Sequence, residues 1–235
     1  MSSRGGSQPD VGVVIVAAGA GRRAGAGEPK QFRPIAGVPL LLWALRPFSA
    51  HPGIGPLVVV VPPDVAARPP AWLGELVGAR LALVAGGATR ADSVRAGLAT
   101  LDASVAVVLV HDGARPFVRR DTIDGVIARA RAGVGAVAAV PVTDTVKEVG
   151  DAQRVTRTVA RERLWRAQTP QGFPRAMLER AYAALAPGDP TATDDAALCE
   201  RAGFPVEIVP DTPDNLKVTT AGDFRIAEAL ARDGR

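Results

Sequence analysis

Short runs of β-branched and other apolar residues recur along this 235-residue chain, at 11–18, 57–61, 80–85, 105–111 and 134–140. Between them, apolar positions fall at helical spacing over 39–50, 91–101 and 121–132. Near-continuous apolar strands are those buried on both faces. Their alternation with helices predicts an α/β fold: a mostly parallel, twisted sheet with helices on both sides. Ligands in such folds gather where loops leave the carboxyl ends of the strands. Segments 19–30, 86–90 and 112–115 stand at such ends, so the topology brings them together across long stretches of sequence.

After Val140 the pattern changes. Segment 141–160 holds two polar, alternating stretches around a turn at Gly150-Asp151, which predicts a β-hairpin. Its faces carry too little apolar surface to stand alone in water. We therefore expect a protruding arm at about 141–160 that packs on a second copy of the chain, making a homodimer. The remainder returns to α/β character, with helices at 174–186, 194–202 and 221–231 and a strand at 206–209. The proline-rich 62–70 reads as a surface loop. Residues 11–235 are read as one domain, preceded by a polar tail, 1–10, expected to be disordered and lacking the apolar core of a signal peptide.

Composition narrows the classes. Hydrophobic residues make up 47% of the chain and charged residues 22%, which suits a globular protein. Aromatics are only 4%, so the core is aliphatic. The net charge of +4 comes from scattered cations, which argues against nucleic acid and for a small anionic ligand where cations converge. The single Cys199 rules out a disulfide framework and a multi-cysteine metal site, and fits a reducing cytoplasm. No apolar run is long enough for a membrane span.

Candidate chemistry begins where the first strand ends, in Ala17-Ala18-Gly19-Ala20-Gly21-Arg22-Arg23 followed by Pro29-Lys30-Gln31. Small residues let backbone N–H groups approach phosphate oxygens, and Arg23 and Lys30 supply countercharge. The loop lacks the full pattern of a P-loop or of a dinucleotide-binding turn. His111-Asp112-Gly113-Ala114-Arg115-Pro116 places a carboxylate at a strand's carboxyl end, where Asp112 suits Mg²⁺ completed by phosphates and water, or caps the turn. His111 reads as a packing or hydrogen-bonding residue. Gly86-Gly87-Ala88-Thr89-Arg90-Ala91-Asp92-Ser93 is a glycine turn into a helix; its backbone and Ser93 suit a flat base edge, and Thr89 suits an N-cap. Lys217, in a short polar strand after Pro213, is either a solvated charge or a cation aimed into the cleft. Thr193-Asp194-Asp195 looks like a helix N-cap.

In combination these motifs, with Asp144-Thr145-Val146-Lys147, Gln168-Thr169-Pro170-Gln171 and Asp214-Asn215-Leu216-Lys217-Val218-Thr219, resemble the 2-C-methyl-D-erythritol 4-phosphate cytidylyltransferases of the non-mevalonate isoprenoid pathway. The resemblance runs from about Val11 to Ala231. It implies a homodimeric, Rossmann-like nucleotidyltransferase with an exchanged β-arm, using CTP, a polyol phosphate and Mg²⁺ or another divalent metal. By position, Ala17, Ala18, Gly19, Arg23 and Lys30 would hold the triphosphate; Gly87 and Ser93 would face cytosine; Asp112 would ligate the metal. Arg115, Thr193 and Lys217 would line the sugar-phosphate site, closed by Thr145 and Arg161 from the partner's arm. Arg23, Lys30 and Lys217 would be the catalytic cations. Two positions depart from the resemblance: Val16 where proline is common, and Ala88 where an acidic residue is common. A ribitol 5-phosphate cytidylyltransferase is the alternative of the same class, and a non-catalytic nucleotide-binding regulator the alternative of another. The filled Lys30, Asp112 and Lys217 positions argue against the regulator.

Overall fold

The first apolar run forms β1 (Val11–Val16), and its alternation divides the interior in two. Val11, Val13 and Ile15 enter one buried cluster, and Val14 enters the other. The computed structural model describes residues 9–19, 29–186, 189 and 193–234. Most of the expected tail, 1–8, lies outside the described residues, as does Arg23. Asp10, the last residue of that expected tail, is held: its carbonyl accepts from the backbone N–H of Ala106 at 2.8 Å.

After β1 come β2 (Pro34–Ile35), β3 (Val38–Pro39), α1 (Leu40–Ser49), β4 (Ile54–Val61), α2 (Pro63–Ala67) and α3 (Ala71–Gly74). Next are β5 (Leu81–Ala85), α4 (Arg90–Thr100), β6 (Val107–Asp112), α5 (Arg120–Arg131) and β7 (Gly135–Pro141). The chain ends with β8 (Val146–Val149), β9 (Val155–Val159), β10 (Trp165–Pro174), α6 (Arg175–Ala183), α7 (Asp195–Arg201), β11 (Val206–Pro210) and α8 (Ala221–Arg232). Seven strands make one sheet in the order β11-β7-β10-β6-β1-β4-β5. Six run the same way, and β10 alone is antiparallel to its neighbours β6 and β7.

Helices cover both faces, as expected. On one side α1 and α5 contribute Leu45, Phe48, Ile123 and Val126. On the other, α4, α6 and α7 contribute Val94, Leu98, Leu178 and Cys199. A third cluster of Ile35, Leu40, Phe117, Val218 and Phe224 ties α8 to the loop after β6. No helix among the described residues is long and apolar enough to cross a membrane.

Two expectations need correction, and one strand was missed. The strand β10 was not foreseen. Its sequence, Trp-Arg-Ala-Gln-Thr-Pro-Gln-Gly-Phe-Pro, has no apolar run, and Pro170 falls where the register with β7 shifts, the place a residue without an N–H is tolerated. The loop expected at 62–70 contains α2, opened by Pro63 at a first-turn position where its missing N–H costs nothing. Lys217 lies in irregular chain rather than in a short strand. The backbone there bonds to a turn and a loop, Asn215 N to Thr212 O at 3.2 Å and Val218 N to Ala114 O at 2.8 Å, instead of to a neighbouring strand.

The hairpin forms as β8 and β9, a two-stranded ribbon separate from the main sheet. Val149 and Val155 are 55% and 59% exposed, so the arm leaves apolar surface in water. It grows from the end of the β7–β10 pair, where Trp165 stands opposite Pro141.

Candidate active site

The carboxyl ends of β1, β5 and β6 border a cleft of about 580 Å³. Its floor is the turn after β1. Ala17 donates its N–H to Val60 O at 2.7 Å, and its carbonyl accepts from Gln31 Nε2 at 2.9 Å. Both backbone groups of Ala17 therefore hold the turn in place, while Ala18 and exposed Gly19 border the cleft. Gln31 fixes the far end of the same loop and is nearly fully buried.

The glycine turn after β5 is built by contacts a side chain would forbid. A Cβ on Gly86 would lie 2.3 Å from Ala18 Cβ, and one on Gly87 would lie 2.4 Å from Asp92 Cβ. Thr89 caps α4 as expected, in a reciprocal capping box with Asp92. Ser93 is buried; its hydroxyl donates to Thr89 O at 3.0 Å and accepts from Gly87 N at 3.2 Å. Gly87 and exposed Ala88 thus present an open backbone edge to the cleft, braced from beneath by Ser93.

Asp112 ends β6 and is 7% exposed. Lys217 Nζ lies 2.8 Å from Oδ2, Arg90 Nε 3.5 Å from Oδ1 and Arg115 Nε 3.7 Å from Oδ2. Burial alone would raise the Asp112 carboxyl, but Arg90, Lys217 and Arg115 together outweigh it and hold it well below the usual carboxylate range. Lys30 reaches the same place from the other side, donating from Nζ to Val218 O at 3.0 Å. Residues 30, 112 and 217, scattered in sequence, therefore meet around one cleft.

The support beneath Asp112 is continuous. His111 is fully buried against Phe48, with ring centroids 4.7 Å apart, and burial pushes its imidazole down to about 4. A neutral ring protonated at Nε2 satisfies every partner. It donates to Arg115 O at 2.9 Å, Nδ1 accepts from Thr169 Oγ1 at 3.0 Å, and that hydroxyl accepts from Asp112 N at 3.0 Å. His111 is a hydrogen-bonding residue, as read from sequence. Arg115 is 9% exposed and beside the cleft rather than lining it; NH1 donates to Asn215 O at 2.7 Å. Burial lowers the Arg115 guanidinium, partly countered by Asp112. Asn215, fully buried, donates to Thr169 O at 2.8 Å and to Asp211 Oδ2 at 2.7 Å, anchoring the segment that carries Lys217.

The other predicted residues stand elsewhere. Thr193 is exposed just ahead of Asp194, which caps α7 by accepting from Ala197 N at 2.9 Å. Thr145 and Arg161 are exposed at the arm, where Arg161 donates to Thr143 O. None of the three lines the cleft of this chain. Sequence reasoning assigned no role to Arg90, Asn215 or Thr169; all three sat inside quoted motifs, but only the packing shows what they hold.

The donor set suits a cation delivered with an anion. Among the described residues no group of three or more histidine, cysteine or acidic side chains could hold a metal. A single carboxylate at Asp112, with phosphate and water oxygens completing the shell, is what Mg²⁺ accepts.

Comparison with known proteins gives a consistent result. The family model described as IspD: 2-C-methyl-D-erythritol 4-phosphate cytidylyltransferase matches residues 11–233. The 2-C-methyl-D-erythritol 4-phosphate cytidylyltransferase of Syntrophus aciditrophicus (strain SB) is 40% identical over 231 residues, 96% of this chain and 97% of that protein. A bifunctional enzyme IspD/IspF of Anaeromyxobacter dehalogenans (strain 2CP-C) is 49% identical over 92% of this chain, which spans 56% of that relative's length. The crystal structure of 2-C-methyl-D-erythritol 4-phosphate cytidylyltransferase from Thermus thermophilus matches with a TM-score of 0.79 at 36% identity, covering 94% of this chain and 98% of that one.

Proposed function

Because the chain belongs to the 2-C-methyl-D-erythritol 4-phosphate cytidylyltransferase family, we propose that it transfers CMP from CTP to 2-C-methyl-D-erythritol 4-phosphate. The products are 4-diphosphocytidyl-2-C-methyl-D-erythritol and pyrophosphate. An oxygen of the acceptor phosphate attacks the α-phosphorus in line, and the bond to the β-phosphate oxygen breaks as pyrophosphate leaves. The observation that carries this reading is the convergence of Lys30, Asp112 and Lys217 on a cleft floored by the small turn after β1.

The acceptor, a phosphate monoester with a second pKa of about 6, is largely dianionic at neutral pH, so no general base is required. The difficulty is repulsion between anions. Two unit charges 4 Å apart interact by about 4 kcal/mol at an effective dielectric near 20. Lys30 meets the triphosphate over Ala17, Ala18 and Gly19, the role the resemblance also gives Arg23, while Lys217 meets the acceptor and Arg115, behind the wall, steadies Asp112 and Asn215. Asp112 would hold a divalent cation, Mg²⁺ or one like it, arriving with the phosphates, which would supply Lewis-acid neutralisation. Gly87, with Ser93 behind it, faces cytosine. Ala88 has no carboxylate to offer, so base selection there falls to the backbone.

The arm supports a shared site. Thr145 and Arg161 are exposed on it, away from the cleft of their own chain, and its apolar residues Val149 and Val155 lack cover. In the homodimer we infer, they complete the acceptor pocket of the partner, with Thr193 at its rim. The cytoplasm, where thiols stay reduced, suits an enzyme with one buried cysteine.

The test is pyrophosphate release with CTP and Mg²⁺ against methylerythritol phosphate, ribitol 5-phosphate and other polyol phosphates, with the other nucleoside triphosphates as controls. Release that prefers ribitol 5-phosphate, or CTP binding without release, would overturn the assignment. Sharing between subunits is tested by mixing Arg161→Ala with Lys217→Ala; partial recovery of activity is expected, and none in verified heterodimers would refute it.

A further inference from the structure

Arg90 lines the cleft as well, and what stands behind it is unusual. Asp195, the first residue of α7, has no solvent exposure. Its Oδ2 accepts from Arg90 NH2 at 2.8 Å and its Oδ1 from Tyr182 Oη at 2.5 Å. The same guanidinium turns Nε to Asp112 Oδ1 at 3.5 Å. We propose that Asp195 is a positioning residue for cytidylyl transfer, acting through Arg90 to set where the Asp112 carboxylate points and how tightly it is held. This rests on the reading of Asp112 as the metal ligand.

A guanidinium is planar, so fixing its NH2 edge against one carboxylate fixes the direction of Nε toward the other. Two anions also divide one cation. While the Asp195 carboxylate holds its NH2 edge, Arg90 is largely engaged behind the cleft and only a 3.5 Å contact reaches Asp112. Without that charge, Arg90 is left with Asp112 as its nearer anion and competes there with the incoming divalent ion. The place of Asp195 in the first turn of α7 favours a carboxylate on structural grounds too, so the readout that separates the two roles is metal binding and not stability. Tyr182, itself buried, completes the carboxylate's bonds from α6.

Asp195→Asn keeps the shape and removes the charge, while Tyr182→Phe keeps the charge and removes the hydroxyl. Calorimetry on the full chain measures CTP affinity with and without Mn²⁺; the ratio is the metal–nucleotide coupling. A merely structural role lowers both affinities together and leaves the ratio unchanged. We expect Asp195→Asn to reduce the ratio about 10- to 100-fold, as for other partners of metal ligands. Tyr182→Phe should reduce it less, in the same direction. In an Arg90→Gln background, Asp195→Asn should have no further effect. A wild-type ratio in a folded Asp195→Asn protein whose Asp112→Asn counterpart loses the coupling would overturn the proposal alone. A wild-type ratio in Asp112→Asn would overturn the metal reading and this proposal with it. If Asp195→Asn does not fold, an unchanged ratio in Tyr182→Phe overturns the proposal.

Discussion

Gly86 is where the two loops bordering the cleft touch, and adding one methyl group there tests the architecture. An alanine Cβ would lie 2.3 Å from Ala18 Cβ, which is 1.1 Å short of the 3.4 Å at which ordinary contact begins. The Ala18 Cβ is fixed to its backbone and cannot swing aside, so one loop must move by about that amount. Displacing a reacting group by about 1 Å costs on the order of 10²-fold in rate, equivalent to about 2.7 kcal/mol. Overpacking costs roughly 1–3 kcal/mol of stability, and for a chain of this size each kcal/mol lowers Tm by about 2–4 °C. Gly86→Ala should therefore fold, melt somewhat earlier and lose about 100-fold in kcat/KM for CTP in a pyrophosphate-release assay. Ala18→Gly in the same chain removes the obstructing Cβ and should restore most of the loss, leaving only the 2.9 Å approach to Ser93 Oγ. Gly86→Ala within twofold of wild type, or a double variant no better than the single, would refute the reasoning.

Lys217→Ala should lower kcat by about 10²–10³-fold, like loss of one transition-state donor, with some loss of Tm because buried Asp112 gives up its 2.8 Å partner while keeping Arg90 and Arg115; a normal kcat in folded protein would remove it from the chemistry. Gly172→Ala drives a methyl to 2.4 Å from Val126 Cγ1 and 2.7 Å from Leu109 Cδ2, inside the core. It should cost about 1–3 kcal/mol, read as a lower midpoint in urea. Cys199 is fully buried, and burial pushes its thiol up from 9.0 to about 12. Native protein should resist iodoacetamide at pH 8 and react only once unfolded. The sign of its linkage follows: above pH 9 the unfolded thiol ionises while the native one stays protonated, so stability falls as pH rises from 9 toward 12. Cys199→Ala should flatten that alkaline loss in urea titrations at pH 8, 9 and 10.

The elements that carry their own apolar signal were legible in the sequence: β1, β4, β5, β6, β7 and β11, with α1 and α4 to α8; the two-residue β2 and β3 carry no such signal. The strand β10 was not, because its burial is conferred by position between β6 and β7 and not by an apolar run. Among site residues, Asp112 was legible as a carboxylate at the end of an apolar strand and Lys30 as a cation following the small-residue loop, whereas Lys217 could equally be read as a solvated charge until the packing placed it on Asp112. The Arg90–Asp195–Tyr182 contact was illegible, since it joins α4, α6 and α7 across 105 residues of sequence. Ser93 was legible as part of the turn, yet its hydroxyl bonds are internal, which only the geometry reveals. Thr89 was read correctly as a cap because the chemistry of a cap is local.

Since six strands point one way and β10 returns, the cleft and the root of the arm share a single rim of the sheet. The opposite rim carries turns such as the one before β6, where Ser104 is exposed. A cysteine introduced at that turn gives a chemical handle on the far side of the molecule. Anchored to a support through it, the protein stands with its working face toward the solution.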